Sequence, residues 1–298
     1  MYSFITPTCF MKILLPLILS VCVLQIHAQQ RCSLSEKWQT DTTLQTPESV
    51  LFYKKGKFLF VSNINGKSGD KDGNGSIAKV ALDGTILCAD WITGLNAPKG
   101  LGVYKNLLYV TDLIEIVVID ITKSMIIKKI AIDSAKFLND LTVDAEGTVY
   151  VSDSRTGKVH SIKNDVITTY IEKLQGPNGL LITNEGLYIL DRGSLLLYKD
   201  GKQIAKIADG MDASTDGIEQ VNPNEFVVSC WSGVVYYIFS NGAKQVILDT
   251  RTEKINSADI GYNAKEKVIY IPTFYKNKVV AYELKWMQTN FNANYNNK

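Results

Sequence analysis

From about residue 47 onward the chain alternates short runs of β-branched and aromatic residues with Gly, Asp and Asn turns, and no segment sustains a helical period. The clearest runs are Phe58–Ser62, Leu108–Thr111, Val149–Ser152, Leu187–Leu190, Phe226–Ser229 and Ile269–Ile271. Each is followed by another: Ile77–Leu82, Ile116–Ile121, Val159–Ile162, Leu195–Tyr198, Val234–Phe239 and Val279–Leu284. Turn pairs such as Asp83-Gly84, Asp200-Gly201 and Asn241-Gly242 then lead toward a further strand. Ahead of each first run stands a short opening that ends on an aliphatic residue: Pro47-Glu-Ser-Val50, Pro98-Lys-Gly-Leu101, Leu138-Asn-Asp-Leu141, Pro177-Asn-Gly-Leu180, Thr215-Asp-Gly-Ile218 and Ser257-Ala-Asp-Ile260. The second residue of each opening falls at 48, 99, 139, 178, 216 and 258, in steps of 51, 40, 39, 38 and 42 residues.

A period near 40 residues built from short strands marks an array of four-stranded units. Six of them predict an all-β, six-bladed β-propeller with blades starting near 48, 99, 139, 178, 216 and 258. The sixth unit runs out after three strands, in the Asn-rich tail 290–298. The missing strand is expected from the N-terminal side, at about residues 36–44, so that the ring closes and leaves no open edge.

The first thirty residues stand apart from this pattern. Lys12 precedes an apolar run from Ile13 to Val23, and Ile26-His27-Ala28 offers small or aliphatic residues for a cut before Gln29. That is the form of a secretory signal peptide. The run is shorter than the roughly 20 residues a membrane span needs. The expected organisation is a signal over 1–28 and one propeller domain over 29–298, exported to a periplasm or secreted, with no membrane span in the mature protein. A hydrophobic content of 46% suits a large buried core, and a net charge of +2 without basic blocks indicates no nucleic-acid partner. Beyond the signal only Cys32, Cys88 and Cys230 remain, with no spacing that suggests zinc. Cys230 is expected to pack as a small apolar residue.

Candidate chemistry lies at the marked positions, Glu48, Lys99, Asn139, Asn178, Asp216 and Ala258. In a propeller the first strand of every blade lines the central channel, so these side chains converge at one mouth. Two carboxylates and two carboxamides at Glu48, Asn139, Asn178 and Asp216 make a hard-oxygen set suited to a divalent cation. The alternative is that Asn-Gly and Asp-Gly merely cap tight turns. Asp70-Lys-Asp-Gly-Asn-Gly-Ser-Ile77, in the insertion that lengthens the first unit, copies part of an EF-hand loop. Ala81 stands where its last ligand belongs and strands are expected on both sides, so a charged turn is the expected role. His160, in an alternating strand, is expected at the strand surface, and Asp112, Asp153 and Asp191, which close second strands, as turn acceptors. Trp231 is either a pocket wall or a core residue.

Thr46-Pro-Glu-Ser-Val50, Asn139-Asp140, Pro177-Asn178-Gly179 and Asp216-Gly217 together resemble, in order and spacing, the motifs of the senescence marker protein/gluconolactonase family, the regucalcin-like lactonohydrolase propellers. The resemblance implies one divalent cation at the mouth, Ca²⁺ first, with Mg²⁺, Mn²⁺ or Zn²⁺ as alternatives. Glu48, Asn178 and Asp216 would be direct ligands and Asn139 a contact to metal or substrate. It further implies ring-opening hydrolysis of a small-molecule lactone or related ester, with Asp216 as general base and Asn139 as a substrate contact; Lys99, on the same ring of marked positions, is expected as a further substrate contact. Two positions depart from the family. Phe137 stands where sugar-lactonase members often carry Arg, and Lys99 places a cation in the ring. These departures keep open a second function, a non-catalytic propeller that binds a small molecule, glycan or protein partner.

Overall fold

The computed structural model describes residues 1–2 and 31–287. The proposed cut before Gln29 and the tail 288–298 lie outside the described residues. Six four-stranded antiparallel sheets follow one another, each running from an inner to an outer strand. Blades 1 to 5 are continuous in sequence, with inner strands Pro47–Tyr53, Pro98–Tyr104, Leu138–Val143, Pro177–Ile182 and Thr215–Asn222. Inner strands of successive blades touch, and blade 6 returns to blade 1, where Ser49 bridges Asp259 in parallel. Among the described residues the one helical element is a 3₁₀ turn, Phe274–Lys276. No helix of the described residues is long and apolar enough to cross a membrane.

Alternation along the strands explains the stacking. Each blade has two faces, and the apolar residues of facing sheets fill a separate core between every pair of neighbours. Between blades 4 and 5, for instance, the rings of Tyr188 and Phe226 lie 4.7 Å apart and both are buried. Truncating such a ring to Ala costs about 3–5 kcal/mol.

Closure occurs as expected, through a strand with different bounds. Arg31–Gln39 pairs antiparallel with Val279–Met287 as the outer strand of blade 6. Residues 41–44, assigned to that strand from sequence, instead turn the chain inward. The Asp41 carboxylate accepts the Thr43 N–H at 2.9 Å, and Leu44 drops into the core between blades 6 and 1. Trp38, Thr40, Thr42 and Leu44 alternate like a strand, and the local Asx turn overrides that pattern. Trp38 spans the seam: its indole N–H donates to the Leu82 carbonyl of blade 1 at 2.7 Å.

His160 also departs from its expected place. It is 1% exposed, with Nε2 4.0 Å from an Asp153 carboxylate oxygen, and burial lowers its pKa so that the ring is held neutral. The strand alternates as read, but the neighbouring blade covers this face too. Cys230 is buried as expected, and the three described cysteines are free.

Candidate functional site

The marked residues owe their aim to a repeated irregularity. In blades 2 to 5 the pairing of inner and second strands skips a residue at the opening, between Pro98 and Leu101, Leu138 and Leu141, Pro177 and Leu180, and Thr215 and Ile218. Blade 1 skips between Pro47 and Ser49. Such bulges re-aim a side chain at the end of a strand. Second-strand hydroxyls hold the displaced backbone: Ser62 accepts the Ser49 N–H at 3.0 Å, Ser152 that of Asp140 at 3.0 Å, and Ser229 that of Gly217 at 2.9 Å. The aspartates that end second strands are turn acceptors, as expected. Asp112 takes the Ala97 N–H at 2.8 Å, Asp153 that of Phe137 at 3.0 Å, and Asp191 that of Gly176 at 2.7 Å. Each therefore fixes the loop that delivers the marked residue.

The glycines of Asn178-Gly179 and Asp216-Gly217 serve packing rather than turn formation. Neither has a positive φ. A Cβ on Gly179 would lie 2.2 Å from the Asp216 carbonyl oxygen, and one on Gly217 2.4 Å from the Ile260 nitrogen. Only glycine lets adjacent inner strands approach this closely.

Glu48, Lys99, Asn139, Asn178 and Asp216 all line one pocket of about 480 Å³ at the mouth. Ala258, the sixth marked residue, is buried beside Ile64, Ala97 and Phe274 and supplies no donor. The Asn178 amide donates to Asp216 Oδ1 at 2.8 Å, and that of Asn139 to Ser154 Oγ at 3.3 Å. Two buried oxygens, Glu48 Oε2 and Asn178 Oδ1, have no hydrogen-bond partner. Orphaned buried acceptors of this kind cost free energy unless a cation or donor meets them. Among the described residues no three His, Cys, Asp or Glu side chains cluster as metal ligands, so any ion held here would rest on two carboxylates and carboxamides. That chemistry suits Ca²⁺, Mg²⁺ or Mn²⁺ better than Zn²⁺, which favours nitrogen and sulfur.

The electrostatics fit the same picture. Burial holds the Glu48 carboxyl well above the usual carboxylate range, the charge of Asp216 adds to this, and Lys99 opposes it. Asp216 is raised likewise by burial and by Asp259. Lys99 is 1% exposed and its pKa is lowered, chiefly by burial. Its ammonium donates to the Ala97 carbonyl at 3.0 Å and lies 4.6 Å from the Phe137 ring centre, and it makes no ion pair with Glu48 or Asp216.

Lower in the channel lie Asp140, Glu219 and Asp259, on the wall of a smaller cavity of about 200 Å³. Asp140 accepts the Leu180 N–H of blade 4 at 2.7 Å, and Asp259 accepts the Ser49 hydroxyl of blade 1 at 2.5 Å. Burial pushes Asp259 up to about 7, and Glu219, on the wall of the same cavity, reaches about 8 through burial and the charge of Asp259.

Sequence reasoning missed several pocket residues: Arg192, Lys67, Ser214, Phe274 and Tyr275 line it too, and Trp231 is confirmed as a wall residue. Phe137 also lines it, with Arg155 4.7 Å from its ring centre. The available signal was the loop after each second-strand aspartate, Asp153-Ser154-Arg155 and Asp191-Arg192, which faces the mouth.

No family model matches the sequence, and no curated protein matches it. Solved structures share the fold. A streptogramin B lyase superposes with a TM-score of 0.62 at 12% identity, covering 86% of this chain and 98% of that one. A catalytically inactive histidine-to-alanine variant of virginiamycin B lyase from Staphylococcus aureus, with quinupristin, gives 0.60 at 13%, covering 86% and 99%. A gluconolactonase of Xanthomonas campestris gives 0.60 at 15%, covering 82% and 88%. At these identities the likeness is one of fold alone.

Proposed function

We propose that the protein is an exported, metal-dependent hydrolase that opens a lactone or related ester at the propeller mouth. The observation that carries this reading is the pair of partnerless buried oxygens, Glu48 Oε2 and Asn178 Oδ1, beside Asp216 on one pocket wall. Glu48, Asn178 and Asp216 would hold one divalent cation, Ca²⁺ first. When bound, that cation supplies polarisation of the lactone carbonyl and a lowered pKa for an attacking water. Asn178 fixes one oxygen of Asp216 and leaves the other to take a proton from water. Asn139 orients the substrate from the adjacent blade. In the reaction the water oxygen bonds to the acyl carbon and the ring C–O bond breaks. The departing alkoxide takes up a proton, giving a hydroxy acid.

Hydrolysis is favoured over a histidine-dependent elimination by one observation. Among the described residues His160 is the sole histidine, it is buried, and it does not line the mouth. Lys99, a cation on the wall of a cation site, favours the second reading, a binding propeller without chemistry. Titrating Ca²⁺, Mg²⁺ and Mn²⁺ into chelator-treated protein, with a panel of lactones followed by pH-stat, separates the two. Binding of at least one ion together with metal-dependent acid release supports the hydrolase. Absence of binding and of acid release leaves the binding propeller. The export half of the reading rests on the apolar N-terminal run, and N-terminal sequencing of exported protein beginning at Gln29 tests it.

A further inference from the structure

The rim of the mouth is chemically divided. On blades 5 and 6, Trp231 packs edge-on against Phe274 and Tyr275, with ring centres 5.7 and 6.1 Å away. Trp231 and Tyr275 are exposed at 39% and 65% despite their size. Phe274 is held at φ 49°, in the left-handed region that a bulky residue avoids. The turn that carries it is tied at both ends: Thr273 N–H donates to the Lys278 carbonyl at 2.8 Å, and Asn277 Oδ1 accepts the Thr46 N–H at 3.0 Å. Backbone strain over-determined in this way concentrates at binding sites.

Blades 1 to 4 carry the cations. Lys67, Lys99 and Arg192 line the pocket, and Arg155 lies 4.7 Å from the ring centre of Phe137, whose ring also meets Lys99. Among the described residues none of these four makes an ion pair within 4.0 Å. Against these four cations the pocket wall sets two carboxyls, Glu48 and Asp216. An ion held between those carboxyls would add to the positive surplus. An anion is attracted to such a cleft, and the aromatic wall opposite offers a flat ring its face.

We propose that the mouth selects carboxylate-bearing substrates with a flat apolar ring, the ring lying against Trp231 and Tyr275 and the carboxylate facing Arg155 and Arg192. The Arg155 guanidinium lies over the ring of Phe137, which lines this wall. The inference deepens the hydrolase reading by naming its substrate class, but the recognition half requires neither a metal nor turnover.

The test is calorimetric titration of chelator-treated protein with 4-phenylbutyrate, its uncharged amide, and butyrate. The expected result is that 4-phenylbutyrate binds at least tenfold tighter than either comparison ligand. In the Arg155→Gln, Arg192→Gln double variant, whose changes lie on exposed side chains, the preference over the amide falls to within about twofold. In Trp231→Ala the preference over butyrate falls likewise. Equal binding of acid and amide by the unmutated protein overturns the proposal. So does a preference that survives the double arginine change, or one that appears only when metal is restored, since the ion would then be the receptor. Selective binding without hydrolysis of any lactone overturns the hydrolase reading alone, whereas hydrolysis without selective binding overturns this one alone.

Discussion

The side-chain amide of Asn178 donates to Oδ1 of Asp216 at 2.8 Å across the seam between blades 4 and 5, leaving its own oxygen buried and without a partner. The bond joins the inner strands of two blades and turns Asn178 Oδ1 and Glu48 Oε2 into the acceptors that most need a cation.

Removing a charged member of that set should cost most. Asp216→Ala and Glu48→Ala are each expected to weaken binding of a divalent cation by a hundredfold or more, on the order of 3 kcal/mol, while the protein still melts cooperatively. Asn178→Ala removes a neutral donor and should do less. Calorimetric titration of Ca²⁺ into the three variants checks the order, and equal affinities in all three would show that the ion sits elsewhere.

Lys99 is expected to oppose the ion. Its ammonium is buried on the same wall and makes no ion pair there, so its charge repels a divalent cation through a low-dielectric wall. Lys99→Met keeps the volume and should tighten Ca²⁺ binding by about tenfold. A weaker affinity in that variant would mean that the lysine holds the site together.

The channel acids predict a pH dependence of stability. Asp259 and Glu219 have folded-state pKa values near 7 and 8, above their ordinary ones, so the native state holds more protons than the unfolded chain between about pH 4 and 8. Their contribution is therefore fully present below pH 4 and lost as pH rises through 7 to 8. In metal-free buffer the melting temperature should fall by several degrees between pH 6 and 9. Asp259→Asn with Glu219→Gln should flatten that fall, and an unchanged slope in differential scanning calorimetry would remove these groups as its cause.

Ring closure is the remaining expectation. Deleting residues 31–39 removes the outer strand of blade 6 and bares the edge of Val279–Met287, so the melting temperature should drop by well over ten degrees with new self-association. Deleting only residues 1–29 should leave both unchanged. Thermal melts with light scattering distinguish the two truncations.

The six openings and their steps of about 40 residues are periodic, and strand alternation is a local property, so blade number, blade order and the marked residues were legible in the chain itself. The Asp residues that end second strands were legible as turn acceptors for the same reason: each carboxylate meets backbone N–H groups 15 to 17 residues away within its own repeat. What the local pattern cannot contain is the contact between repeats. The burial of His160, the glycines at 179 and 217 that allow inner strands to meet, and the pairing of Arg31–Gln39 with Val279–Met287 at the other end of the chain depend on what distant segments present. The mouth shows the same division. Glu48, Asn139, Asn178 and Asp216 repeat at one register and could be read in advance, whereas Phe274 and Tyr275 sit in a 3₁₀ turn that no other blade repeats among the described residues. Their convergence was decided only by the closed ring, because a circle of six packed sheets brings residues far apart in sequence to a single axis.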